Sequence, residues 1–343
     1  MTVRTLTGAI ATATATAIVL AFTAALTGFG PVQAQSLKDP QWKALFDAGK
    51  YDALEQAAAA QLKAQADDAQ ALAALALSAQ GSFDVKRLEA AYRAAQHCEA
   101  RAAQEAVCQL AKAVVMGQQA QVLGALKAVS LVGRIKDALS RALELDPAAY
   151  TARSKLTQIY LFTPGFLGGS VSRAKELEVA IRSSQPEQAR LLRALIAAKQ
   201  GDWDAAEREL LSVRPVEDAA LLADIRDAYG QLGRHWSKEG QPVKARSAYE
   251  QLLRDQPTQA AAPYYLGRLA LDLGQPAEAV KQFERAKALE GAGSLPLDHR
   301  LGDAWVALGE KAKARAAYER TINNKQSSPG HVEDARKSLA KLG

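Results

Sequence analysis

Apolar residues recur three and four apart along most of the chain, and Gly or Pro breaks the pattern at short intervals. This spacing predicts amphipathic helices joined by tight turns rather than strands. Lys38 to about Ala66 reads as a first helical pair, with Gly49-Lys50-Tyr51 as its turn and Leu54, Ala58 and Leu62 on one face. Asp67 to Ala100 reads as a second, with helices over Ala71–Gln80 and Val85 to about Cys98. Gly81-Ser82-Phe83-Asp84 is its turn, and Asp84 is placed to cap the second helix. Gln104 to Pro147 is a stretched pair, with helices around Val107–Gly117 and Arg134–Leu145. The insertion Gln118 to Gly133 carries Val122, Leu123, Leu126, Val129, Leu131 and Val132. It is too apolar for a free linker and is expected to continue one or both helices and pack.

A further helix carries Leu156 and Tyr160 and runs into Phe162-Thr163-Pro164-Gly165-Phe166-Leu167-Gly168-Gly169-Ser170. Pro and three Gly preclude a continuous helix there, and Ser170 or Ser172 is placed to cap the next one. A Gly-Gly-Ser turn that opens a helix can present free N–H groups to an anion. No strand precedes it, no Lys follows the glycines and the phosphate-loop spacing is missing. The reading is therefore a shaped inter-helix loop, with Phe162 and Phe166 plugging the core. Gln185 to Pro215 is a plainer pair about the turn Gly201-Asp202-Trp203.

From Arg226 to Ser328 one ladder appears three times. Its rungs are Leu232-Gly233, Leu266-Gly267 and Leu301-Gly302, then Trp236, Ala270 and Trp305, then the turn glycines Gly240, Gly274 and Gly309. Ala245, Ala279 and Ala314 follow, and then Tyr249, Phe283 and Tyr318, with a period of 34 or 35 residues. Small residues are expected where paired helices approach closest, and the aromatics are expected to fill the gap between successive pairs. His331 to Leu342 reads as a last amphipathic helix covering the apolar face of the array.

This period and pattern resemble the tetratricopeptide repeat, a helix–turn–helix unit. The resemblance is strongest over residues 226–328, as repeats 226–259, 260–293 and 295–328, and weaker copies cover most of 38–215. It implies an all-α fold, a right-handed α-solenoid of helix pairs with a C-terminal capping helix. The middle third also resembles a group of exported bacterial tetratricopeptide proteins. The shared features are Cys98 and Cys108, Ser130-Leu131-Val132-Gly133, Leu145-Asp146-Pro147 and Pro164-Gly165 with Gly168-Gly169-Ser170. A similar Gly-Gly-Ser turn occurs in regulators of microtubule dynamics. The repeat family binds ligands along a groove lined by the first helix of each pair. Carried over by position, that groove would show Arg234, Lys238, Tyr264, Arg268, His299, Arg300 and Asp303. Such a surface suits an extended or acidic peptide. One family variant clamps a C-terminal carboxylate with paired Asn and Lys, but the only asparagines, Asn323 and Asn324, lie outside those positions.

Composition changes the picture at the N-terminus. Arg4 is the only charged side chain before Lys38, and an apolar, Thr/Ala-rich run from Ala9 to Phe29 leads to Pro31-Val32-Gln33-Ala34. This predicts a secretory signal over 1–34, cleaved after Ala34. The run is also long enough to span a bilayer as an uncleaved anchor. The domain reading is then 1–34 signal peptide, 35–215 irregular repeats and 216–343 regular repeats with the cap. No second apolar run follows, so no stable membrane insertion is expected after cleavage, and the expected location is periplasmic or secreted.

Cys98 and Cys108 are the only cysteines. Their spacing suits a disulfide across a helical hairpin turn, which export would permit; two buried free thiols are the alternative. His97 is adjacent, but no second ligand pair at metal spacing follows, so no metal site is expected. The net charge is +6 at pH 7, yet no basic block interleaved with aromatics points to nucleic acid. The four His (His97, His235, His299, His331) fall into no nucleophilic or metal-spaced set. The reading is a non-enzymatic scaffold without cofactor, whose partner is a protein or peptide. The alternative with the same fold is a structural subunit of an envelope assembly or export machine.

Overall fold

The computed structural model describes residues 37–214 and 217–342. The expected signal peptide and the expected domain boundary at 215/216 lie outside these residues. Among the described residues there are seventeen α-helices and no strand; Gln259 and Glu290 form one isolated bridge. The chain divides into two compact units, Met1–Ala223 and Asp224–Gly343.

Among its described residues the first unit holds ten helices in succession: α1 (Pro40–Asp47), α2 (Tyr51–Ala64), α3 (Ala69–Leu77), α4 (Val85–Arg101) and α5 (Ala106–Val122), then α6 (Ala125–Leu145), α7 (Tyr150–Phe162), α8 (Val171–Val179), α9 (Pro186–Lys199) and α10 (Trp203–Leu211). Each packs on the next, and α3 also meets α5 while α7 meets α9. Helix starts follow the caps that the residue types allow: Asp84 accepts from the Arg87 amide at 3.0 Å, and Ser170 from the Arg173 amide at 3.3 Å. The apolar insertion lengthens both of its helices, as expected. The break falls at Leu123-Gly124, where Gly124 has φ +83°.

The disulfide joins Cys98 near the end of α4 to Cys108 near the start of α5. Glu178 in α8 is a buried carboxylate that accepts from Arg182 at 2.6 Å and Arg193 at 2.5 Å. Burial alone would raise its pKa. The two guanidinium bonds more than offset this, and the group stays below the usual carboxylate range.

The 163–170 loop departs from expectation in one respect. Phe166 is 74% exposed, so it does not plug the core. Phe162 is half-buried beneath the Lys199 ammonium, 5.9 Å above its ring. The reason lies in the backbone. The Gly168, Gly169 and Ser170 amides donate to the Gly165, Pro164 and Tyr160 carbonyls at 2.9, 3.1 and 2.9 Å. A Cβ at Gly169 would lie 1.8 Å from the Thr163 oxygen. The loop closes on itself through these bonds and turns Phe166 outward. The same bonds occupy the Gly168, Gly169 and Ser170 amides.

The second unit begins within α11 (Ala219–Lys238) and continues with α12 (Pro242–Asp255), α13 (Ala261–Asp272), α14 (Pro276–Lys287), α15 (Leu297–Ala307), α16 (Lys311–Asn323) and α17 (Pro329–Ala340). Here the ladder acquires a physical cause. A Cβ at Gly233, Gly267 or Gly302 would lie 2.3, 2.6 or 2.4 Å from the ring of Tyr249, Phe283 or Tyr318. Each ring therefore lies on the glycine of its own pair. Ala245, Ala279 and Ala314 are fully buried beside them.

The last helix, α17, caps the array. Ala335 and Leu342 join Ala314 and Tyr318 in a small core, with Trp305, Ile322 and Leu339 against it. His331 of α17 faces His299 of α15, their Nδ1 atoms 3.1 Å apart. That contact needs one nitrogen to donate and the other to accept, so both rings cannot be protonated. Burial lowers both pKa values, and His331, beside His299 and Arg300, falls to about 4. Asp303 and Asp334 pull the other way and do not prevail.

Three outcomes are expected. Gly267→Ala should destabilise the protein by about 1–3 kcal/mol through overpacking against Phe283, read as a lower thermal midpoint. Reduction of Cys98–Cys108 should cost roughly 2–3 kcal/mol by the loop-entropy estimate, measured by denaturant titration with and without a thiol reductant. The unfolded chain takes up the histidine protons that the folded pair refuses. Cap stability should thus be intact above pH 6.5 and fall by on the order of 2 kcal/mol toward pH 4. Amide exchange in α17 reports this, and His299→Gln with His331→Gln should flatten the dependence.

Candidate binding cleft

The first helices of the three regular pairs are α11, α13 and α15, and all seven residues expected in the groove lie on them. Residues four apart share a helix face, so Arg234 aligns with Lys238, Tyr264 with Arg268, and His299 with Asp303. The structure divides the seven into two groups.

Arg234, Lys238 and Arg268 meet at one small cleft of about 70 Å³, with Ser237, Tyr249, Tyr265, Leu269 and Asp272 as its other walls. Tyr249 and Tyr265 are stacked, with ring centroids 5.2 Å apart. Both are buried, and burial raises both phenol pKa values, that of Tyr249 to about 12. The hydroxyls therefore stay neutral and do not cancel the surrounding charge. Arg268 stands 6.0 Å over the Tyr264 ring. Among the described residues, none of the three cations forms an ion pair, although Asp272 lies one turn beyond Arg268.

Tyr264, His299, Arg300 and Asp303 form the other group, in which Arg300 and Asp303 are ion-paired. Arg300 donates to Asp303 at 3.0 Å, and Tyr318 donates to the other oxygen of the same carboxylate at 2.9 Å. Burial opposes the charge on Arg300, but Tyr264 and Asp303 outweigh it and hold its pKa above the ordinary arginine value. His299 is only 4% exposed and faces His331. These four side chains organise the last repeat and its cap.

The sequence reading missed the floor of the cleft. Tyr249 was legible only as the large rung of the ladder. Tyr265 adjoins Tyr264 and occupies the space left by Gly230, where a Cβ would meet its ring at 2.5 Å. The signal for it was a glycine one helical turn before Gly233 and Arg234.

The first unit holds a wider cleft, about 420 Å³, beside the disulfide turn. Glu99, Gln109, Lys112, Arg134, Asp137 and Arg141 are among its walls. Glu99 accepts from Lys112 at 2.6 Å and from Gln109 at 3.1 Å. Arg141 is engaged by Glu144 at 2.8 Å, and Arg134 donates to the Tyr92 hydroxyl. Its charges are largely paired within the protein. Among the described residues no group of three His, Cys, Asp or Glu is arranged to hold a metal ion. No helix among them is long and apolar enough to cross a membrane.

The family model for the tetratricopeptide repeat matches residues 238–294. No curated protein sequence matches the chain. Among solved structures, yeast Tom70 is 13% identical with a TM-score of 0.60, over 94% of this chain and 69% of that one. A tetratricopeptide repeat protein from Parabacteroides merdae is 14% identical, over 75% of this chain and 92% of its own, with a TM-score of 0.43. The pilF protein of Pseudomonas aeruginosa is 15% identical, over 62% of this chain and 93% of its own, with a TM-score of 0.37. The likeness to Tom70 is one of helical-repeat fold. The family match encloses the pair in which Phe283 lies on Gly267, and residues 238–294 carry the tetratricopeptide repeat.

Proposed function

We propose that this chain is an exported scaffold that binds an acidic, extended segment of a partner protein at the cleft of Arg234, Lys238 and Arg268. Tetratricopeptide-repeat proteins are in general non-enzymatic scaffolds for other proteins or peptides, and the fold supports that much here. One observation carries the finer reading. Three cations from two successive first helices line one cleft without carboxylate partners, over a neutral floor of two stacked tyrosines. A carboxylate entering there gains charge-assisted bonds, and an apolar neighbour gains aromatic surface.

The signal-like N-terminus supports an extracytoplasmic place of work, periplasmic or secreted. So does a disulfide between the only two cysteines, a bond that persists in oxidising compartments. Sequencing the N-terminus of the exported protein should give Gln35 as its first residue.

The groove reading is tested by recovery of partner proteins from an envelope extract. Arg234→Glu with Arg268→Glu should reduce recovery by roughly 10-fold or more, since two attractive contacts become repulsive. Arg300→Glu is the wrong probe, because Arg300 is held by Asp303 and Tyr264 inside the fold. Recovery equal to that of the unaltered protein would sink the cleft as the binding site.

A further inference from the structure

Two polar groups on the walls of the Arg234, Lys238 and Arg268 cleft are left unmatched by the fold. Tyr249 is only 3% exposed and Tyr265 only 7%, and both line the cleft. Their hydroxyl oxygens lie against α11. A Cβ at Gly233 would stand 2.6 Å from the Tyr249 oxygen, and one at Gly230 would stand 2.5 Å from the Tyr265 oxygen. Among the described residues neither hydroxyl makes a hydrogen bond. The equivalent phenol one repeat later does: Tyr318 donates to Asp303 at 2.9 Å. A buried hydroxyl without an acceptor costs stability, and here two of them belong to rings stacked at one cleft.

The charge around the hydroxyls narrows what could accept from them. Arg234 and Arg268 both act on the Tyr249 phenol, and Arg234 acts on that of Tyr265, so the guanidinium groups and the hydroxyls share one neighbourhood. Burial keeps both phenols protonated, and each therefore keeps its donor. Asp227 acts on Tyr265 from α11 but is not a wall of the cleft. The walls carry three positive charges, on Arg234, Lys238 and Arg268, and one negative charge, on Asp272, which leaves two positive charges in excess. A carboxylate brings one negative charge and two oxygens. A phosphate monoester brings about 1.5 to 2 negative charges near pH 7 and three strong acceptor oxygens. The space of about 70 Å³ suits one compact group of that kind.

We propose that the group this cleft selects is a phosphate monoester carried on the partner's extended segment, with the Tyr249 and Tyr265 hydroxyls and the Arg234, Lys238 and Arg268 cations donating to its oxygens. The proposal rests on the reading of the cleft as a peptide site and names the chemistry that the site prefers. Phosphate is favoured over carboxylate on two independent grounds. It matches the excess of two positive charges, and it has acceptor oxygens left for the two hydroxyls after the cations are served. Binding is non-covalent, and no bond of the phosphate is broken.

The test uses the full chain and a fluorescently labelled peptide of alanine and glutamate whose central position is phosphoserine, glutamate or serine. Affinity is read from fluorescence anisotropy. The phosphoserine peptide should bind at least about 10-fold tighter than the glutamate peptide, since it adds charge and further charge-assisted bonds. That margin should shrink as pH falls through about 6, where the phosphate loses its second charge. The glutamate peptide meets every titration of the protein equally, so the margin isolates the phosphate. Inorganic phosphate should displace the phosphoserine peptide, and acetate at the same concentration should not. Tyr249→Phe with Tyr265→Phe keeps both rings and removes only the hydroxyls. It should cut the phosphoserine preference by about 10-fold, with the helical circular dichroism unchanged and the thermal midpoint no lower. If the glutamate peptide binds as tightly as the phosphoserine peptide, or the double Phe variant keeps the full preference, the phosphate inference is overturned and the acidic-segment reading stands. If no form of the peptide binds, both are overturned.

Discussion

The contact of a glycine with an aromatic ring is the constraint on which the second unit depends. Tyr249, Phe283 and Tyr318 occupy the volume that a Cβ would need at Gly233, Gly267 and Gly302. Glycine inside a helix costs roughly 1 kcal/mol relative to alanine. Burial of a large ring returns about 1.5–3 kcal/mol, so the exchange favours the ring. The same device joins neighbouring repeats. Tyr265 fills the space at Gly230 and stacks on Tyr249, which in turn fills the space at Gly233. Two glycines one turn apart on α11 thus open a slot for two stacked rings from two repeats.

That slot explains where the open charge lies. The stacked tyrosines are desolvated and neutral, so they form an apolar floor with protonated hydroxyls rather than a counter-charge. Arg234, Lys238 and Arg268 surround it, and among the described residues none of them forms an ion pair. One repeat later the same faces carry Asp303, three residues after Arg300 and within reach of Tyr318. A single carboxylate converts what would have been a second basic cleft into an internal network. It also steadies the helix on which His299 meets the cap. An open basic cleft and a capping network are therefore alternative arrangements of one surface, divided by the placement of one aspartate.

The ladder was legible because its spacing is enforced by close contact, and close contact admits few residue types. Gly233, Gly267 and Gly302 could be read as points of nearest approach, and they are. Their partners could not be identified, since spacing along one chain does not say which ring lies on which glycine. The seven residues that the family resemblance implies for the groove lie on the first helices α11, α13 and α15. Their division into free and paired groups depends on the reach of Asp303 and Tyr318, which periodicity does not encode. Phe166 was misplaced for a related reason. An aromatic beside Pro and Gly looks like a plug when backbone bonds are unknown, and the bonds from Gly168, Gly169 and Ser170 turn it outward.

The irregular unit is built by the same rule applied to backbone instead of rings. At Gly169 the missing Cβ lets the chain pass against the Thr163 carbonyl, and the loop closes there as tightly as the regular pairs close on their aromatics. Gly124 supplies a sharp break between two long helices, and the disulfide draws α4 and α5 together at their junction. None of these departures loosens the fold. Each fixes a local turn of the chain, and the closed 163–170 loop leaves Phe166 exposed. A packed core would have drawn Leu126 and Phe166 inward had the backbone allowed it, since their exposure forfeits several kcal/mol of burial.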